Sequence, residues 1–186
     1  RAPARARPAH PAVHPAHWDL PQPLQGPGGW ANLATAEYFA ESAKVMYDRL
    51  GDRVSRWITL NEPFVYVMFG HRQGVMAPGM RDYAITAKAV HHSHLAHGLA
   101  VQAFRASGKP GEIGITNANT SYEPFDDSPE TAAAVQLARD FDSRLFHVPV
   151  PGKAYPTPIT HYPPPRAATL PPPPPPTSTT AHPHHP

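Results

Sequence analysis

The chain has 186 residues, 27 prolines, no cysteine and a formal net charge of +2. No apolar run approaches the ~20 residues of a membrane span, residues 1–16 lack the apolar stretch of a secretory signal, and without cysteine there is neither a disulfide framework nor a thiolate metal site. The absence of cysteine fits a reducing, cytoplasmic setting. Both proline and basic charge are concentrated at the ends: residues 1–16 and 153–186 hold 17 of the 27 prolines, five basic residues and no acid. The middle is mildly acidic and ordinary in proline, so the basic excess is no sign of a nucleic-acid partner.

In chain order, residues 1–16 show no period of 2 or 3.6, and Pro8, Pro11 and Pro15 oppose a helix. This segment is expected to be disordered or translated out of frame. Trp18-Asp19-Leu20 is a possible strand end. Thr35 is the expected cap of a helix whose apolar positions Phe39, Ala43, Met46 and Leu50 step by 4, 3 and 4. Gly51 then stands where a left-handed terminal residue is wanted. Trp57-Ile58-Thr59-Leu60 reads as a short strand ended by Asn61-Glu62-Pro63. A long helix is predicted from about Tyr83 to Ala106, with Ile85, Ala89, His92, Ala96 and Leu99 on its buried face, ended by Gly108 and Pro110. Glu112 to Thr116 is the next strand. Ser128 reads as an N-cap with Pro129 at the first helical position, opening a helix to about Phe146. Residues 153–186, with Pro163-Pro164-Pro165 and the run Pro171 to Pro176, favour polyproline II and bury no core.

Alternating strands and helices at this spacing imply βα units and a parallel sheet. About three units are present, whereas a complete (β/α)8 barrel needs ~250 residues. The fold expected is therefore α/β, a partial (β/α)8 TIM barrel over 17–152 flanked by proline-rich ends. Open strand edges and unpartnered apolar faces would then make the unit prone to aggregation.

Glu62 directly follows an apolar strand, at the C-terminal end where parallel α/β folds place ligand sites. A carboxyl group among apolar neighbours can serve as a general acid near neutral pH. Asn61 adds an amide able to bond a hydroxyl. The alternative is a surface carboxylate in a βα loop.

A longer pattern bears on that choice. The sequence contains His17-Trp18-Asp19-Leu20-Pro21-Gln22, Gly28-Gly29-Trp30, Leu50-Gly51-Asp52-Arg53-Val54, and Trp57-Ile58-Thr59-Leu60-Asn61-Glu62-Pro63. Gly70-His71, Ala77-Pro78-Gly79, His91-His92 with Ala96-His97, Ile113-Gly114-Ile115, and residues 146–156 follow. In order and spacing this resembles glycoside hydrolase family 1, the retaining β-glucosidases and their relatives. The likeness runs over roughly residues 11–156, an internal piece about a third of a typical member. It implies that Glu62 is the acid/base catalyst and that Asn61 bonds the glycone 2-hydroxyl. It further implies that His17 bonds another glycone hydroxyl and that Phe64 stands beside the aglycone, either stacking on sugar or packing a loop. The substrate implied is a β-glucoside or related carbohydrate, with no cofactor.

The departures matter equally. A retaining mechanism uses two carboxylates ~5–5.5 Å apart, and the family's nucleophile motif, I/V-T-E-N-G, does not occur here. Glu123, Asp126, Asp127, Glu130, Asp140 and Asp142 are the only carboxylates after Thr116, and none has that context. Pro15 would remove a ladder hydrogen bond from the strand before His17. The chain alone is therefore expected to show no significant activity. Two other readings are a metal site formed by His91, His94 and His97, or by the tail histidines His182, His184 and His185, and an interaction segment at Pro171 to Pro176. The oligomeric state is not encoded in any of these motifs.

Overall fold

The computed structural model describes residues 11–156. The remaining end residues, including both proline runs and the tail histidines, lie outside the described residues. The described part is a three-stranded parallel sheet in the order β1-β2-β3, with β1 Ala12–Val13, β2 Arg56–Asn61 and β3 Glu112–Thr116. Helices α1 Gln22–Gln25, α2 Leu33–Leu50, α3 Tyr83–Ala106, α4 Pro129–Arg139 and α5 Leu145–His147 connect and follow the strands.

β1 lies inside the segment that composition alone set apart as 1–16. Ala12 pairs with Arg56 and Val13 with Trp57, and the ladder resumes in the same register at Ala16 opposite Leu60. Pro15 thus interrupts the strand without shifting it. The strand does not extend to Trp18-Asp19-Leu20. Trp18 instead takes a positive φ of 71°, which turns the chain off the sheet.

α2 begins earlier than Thr35 predicts. A 3-10 turn, Gly29–Ala31, feeds directly into it, and the Asn32 side chain caps it by accepting from Ala34 N at 3.0 Å. Thr35 is buried and donates its hydroxyl to Gly29 O at 2.6 Å. Gly51 is right-handed, with φ −68°. Its smallness matters more than its freedom, because a Cβ there would stand 2.5 Å from Tyr47 O and 2.8 Å from Lys109 Cγ.

α3 has the predicted span, but its deeply buried side includes Val90, Ser93, His94, His97, Val101 and Phe104 beside Ala89 and Ala96. His92, Ile85 and Leu99 are only half-buried. The sheet and α2 both press on α3, so its covered surface is wider than a single amphipathic stripe. Ala36 and Ala43 of α2 and Ala89, Ala96 and Ala100 of α3 are fully covered, the small side chains that allow two helices to approach closely. Below them Tyr47 meets Trp57 edge-on at 4.9 Å and Phe104 at 5.3 Å. Burial pushes the Tyr47 phenol up to about 12. Closer to the C-terminal ends of the strands, Trp30 stacks on Tyr66 at 5.3 Å, and Phe64 meets Phe146 edge-on at 5.8 Å.

The last helix is not uniform. Ser128 caps α4 by accepting from Thr131 N at 3.2 Å, as its sequence indicates. The helix passes into a π-helical turn, Asp140–Arg144, before α5. α4 has no buried residue, so its alanines hold it helical by propensity rather than packing. Among the described residues no helix is long and apolar enough to cross a membrane.

Candidate active site at the ends of the strands

The site is built where β1, β2 and β3 end. Trp57 and Thr59 both face the helix layer, Trp57 against Tyr47 and Thr59 bonded to His97 at 2.8 Å. Strict alternation would carry Asn61 to the same face. It does not arrive there. The pairing of β2 with β3 slips between Ile58 and Asn61: Ile58 faces Gly114, but Asn61 faces Thr116. Such irregularities re-aim a side chain and recur beside active sites. Asn61 is accordingly half-buried, and its side-chain partners are His17, Glu62 and Thr116 rather than residues of α3.

Three of the four residues singled out by the sequence come together. Asn61 Nδ2 lies 3.3 Å from His17 Nε2 and donates to Glu62 Oε2 at 3.4 Å. The Asn61 backbone is fixed as well, its N–H donating to Ala16 O at 3.2 Å and its carbonyl accepting from Trp18 Nε1 at 3.0 Å. That tryptophan contact explains the turn at Trp18: the positive φ brings the indole back over the end of β2, and leaves the neighbouring His17 exposed beside Asn61.

Glu62 also has a positive φ, 45°. Non-glycine residues seldom adopt this conformation, which costs on the order of 1–3 kcal/mol and persists where the surroundings over-determine it. Here the determinants are visible. Glu62 N donates to Thr116 O at 3.0 Å and approaches Thr116 Oγ1 at 3.3 Å. Its carbonyl accepts from Val65 N at 2.9 Å, opening the helical turn that leads into a π-helical segment, Val65–Arg72. Pro63 sits in that first turn, where its missing N–H costs nothing.

Phe64 is not gathered with the other three. Its ring packs between Phe69 at 5.6 Å and Phe146 at 5.8 Å, against the core rather than alongside Asn61. A cavity of about 350 Å³ opens beside the site, bordered by Trp18, Gln22, Trp30, Tyr66, His71 and Pro78. Neither Asn61 nor Glu62 borders it.

Thr116 is the site residue that sequence reasoning missed. It was legible only as the end of a strand, and its importance comes from lying opposite Asn61 in the neighbouring strand. Two of the later carboxylates are engaged elsewhere. Asp140 is buried and accepts from Arg144 Nη1 at 2.7 Å and Gln136 Nε2 at 3.0 Å. Asp126 accepts from Ser128 N at 3.0 Å ahead of α4.

The α3 histidines His91, His94 and His97 do not converge on one point. His97 Nδ1 meets Thr59 Oγ1. His91 Nδ1 and His94 Nδ1 lie 3.2 and 3.4 Å from the hydroxyl of Tyr155. Burial pushes His94 and His97 down to about 4, which keeps both neutral. Among the described residues no group of three or more His, Cys, Asp or Glu side chains is arranged to hold a metal ion.

The sequence profile of glycosyl hydrolase family 1 matches residues 4–170. The chain belongs to glycosyl hydrolase family 1. The match reaches beyond the 11–156 over which the motifs were legible. β-Glucosidase A of Thermotoga maritima is 46 % identical over 141 residues, covering 75 % of this chain and 32 % of the relative. β-Glucosidase A of Acetivibrio thermocellus is 40 % identical over 147 residues, 78 % of this chain and 33 % of the relative. Among solved structures, the AHE enzyme from Alicyclobacillus herbarius superposes with a TM-score of 0.78 at 48 % identity, over 80 % of this chain and 34 % of that one. The Thermotoga maritima β-glucosidase in complex with deoxynojirimycin gives 0.76 at 43 % identity, over 81 % and 34 %. This family 1 chain therefore spans about a third of the length of the relatives it matches. Its three parallel strands and their helices are part of a (β/α)8 barrel.

Proposed function

We propose that this family 1 chain carries the acid/base half of a retaining β-glycosidase site acting on β-glucosides or related β-glycosides. The observation that supports this most directly is the convergence of His17, Asn61 and Glu62 at the C-terminal ends of adjacent parallel strands, where barrel folds place their chemistry. In the first step the Glu62 carboxyl gives its proton to the glycosidic oxygen as the bond from that oxygen to the anomeric carbon breaks and a nucleophilic carboxylate, supplied from outside this sequence, bonds the anomeric carbon to form the glycosyl-enzyme. In the second, the Glu62 carboxylate takes a proton from the water that attacks the anomeric carbon of the glycosyl-enzyme, and the site is restored. Asn61 and His17 bond glycone hydroxyls. An Asn61 contact to the 2-hydroxyl strengthens as the sugar approaches an oxocarbenium-like state. Phe64, its ring packed between Phe69 and Phe146, supports the site from the core rather than by contact with sugar.

The nucleophilic carboxylate has no counterpart in this chain's own sequence, so the chain alone is proposed to be inactive. No cofactor takes part. The cysteine-free composition supports a cytoplasmic setting. The unit proposed to carry the site is the βα core, which takes in β1 from the first proline-rich segment and Tyr155 from the second.

Two measurements test this. The purified chain is incubated with an aryl β-glucoside; turnover that disappears on Glu62→Gln would overturn the half-site reading. Residues 11–156 are then exchanged for the matching segment of Thermotoga maritima β-glucosidase A. An active chimera should lose roughly 10²–10⁴ of its activity on Glu62→Gln, and less on aryl substrates whose leaving group needs little protonation. A chimera indifferent to Glu62→Gln removes the acid/base assignment.

A further inference from the structure

The side-chain amide of Asn61 has two opposite ends, an oxygen that only accepts and an NH2 that only donates. Which end faces the site is decided by a neighbour on β3. Thr116 Oγ1 stands within reach of the Glu62 backbone N–H at 3.3 Å, which takes up one of its lone pairs. Its single proton is left to donate. The nearer acceptor is Asn61 Oδ1 at 3.1 Å, against the Leu60 carbonyl at 3.5 Å. With Oδ1 held there, Nδ2 is turned to His17 Nε2 at 3.3 Å and Glu62 Oε2 at 3.4 Å.

We propose that Thr116 is a positioning residue: its hydroxyl locks the Asn61 amide with the donor end toward the glycone side and the Glu62 carboxyl. The proposal rests on the roles given above to Asn61 and Glu62. Its need is greatest when Glu62 carries a proton. An ionised carboxylate repels Oδ1 and keeps the amide oriented by itself. A protonated carboxyl can pair with either end of the amide, so the Thr116 hydroxyl then carries a larger share of the amide's orientation. That protonated state is the one in which a general acid begins its step.

The test uses nuclear magnetic resonance on the full isotope-labelled chain, with Thr116→Val, which keeps the shape and removes the hydroxyl, and Thr116→Ser, which keeps the hydroxyl. In the wild type, cross-relaxation from the Asn61 Nδ2 protons should reach the His17 ring. In Thr116→Val that cross-peak should fall at least twofold as the amide samples both orientations, and in Thr116→Ser it should return. A merely structural threonine would change stability without selectively moving this signal. An undiminished His17 cross-peak in Thr116→Val overturns the proposal. So does a wild type whose Nδ2 protons report on Thr116 instead of His17, an outcome that requires no variant to fold. The readout needs no sugar and no turnover, so failure of the glycosidase reading in the chimera remains separate from failure of this inference.

Discussion

His97 and Thr59 are joined across the helix-facing side of β2, ring Nδ1 to hydroxyl at 2.8 Å, which ties the middle of α3 to the strand two residues before Asn61. Both groups are buried, Thr59 fully and His97 at 4 % exposure. Thr59→Val keeps the shape of the side chain and leaves the imidazole nitrogen without its partner. The expected cost is about 1–3 kcal/mol, read as a lower urea midpoint, with Thr59→Ser retaining most of the wild-type value. Equal midpoints for Val and wild type would show that this bond contributes nothing.

The same burial predicts an acid-sensitive fold. His94 and His97 titrate near 4 in the folded chain, chiefly because burial disfavours their charged forms. An unfolded histidine titrates near 6.5. Below that value the unfolded chain takes up protons that the folded chain refuses, so stability is full above about pH 6.5 and is lost as pH falls toward 4. Urea midpoints measured from pH 7.5 down to 4.5 should fall through this window. His94→Leu should flatten the slope. A midpoint independent of pH across the window is the contrary result.

Gly70 should tolerate no side chain. A Cβ there would stand 2.3 Å from Ala77 O and 3.1 Å from Pro78 Cδ, and Met80 N donates to Gly70 O at 2.8 Å. Gly70→Ala must push the 73–82 loop outward, an overpacking cost of about 1–3 kcal/mol. Hydrogen exchange at the Met80 amide should accelerate. Unchanged protection there would mean that the loop absorbs the methyl group.

Ser128→Ala should act locally. Loss of an N-cap costs about 1 kcal/mol, but α4 buries no residue and so is weakly coupled to the core. Amide exchange near the start of α4 should quicken while the global urea midpoint holds. A shifted midpoint with α4 still protected would contradict this.

Much of the architecture is local and therefore legible. The span of α3, the span of β3 and the Ser128–Pro129 start of α4 follow from caps, periods and breakers that act within a few residues. Local signals are overruled where a neighbour in space competes with them. Thr35 looks like a cap, but the Gly28-Gly29 turn delivers the chain to Asn32 first. His92 fits the apolar period of α3, yet His94 and His97 are deeper because the sheet and the 145–155 segment cover them. Pro15 looks fatal to a strand, but β1 keeps its register on both sides of it.

The sequence by itself determined the family and the alternating order of strands and helices, and it singled out His17, Asn61 and Glu62, because motif text and helix signals are carried in consecutive side chains. Tertiary structure alone decided how those residues meet. Alternation along β2 would bury Asn61 with Trp57 and Thr59. The slip in pairing against β3 turns it outward instead, beside His17, and brings Thr116 against its amide. No pattern within β2 encodes that slip, since it is a relation between two strands more than fifty residues apart.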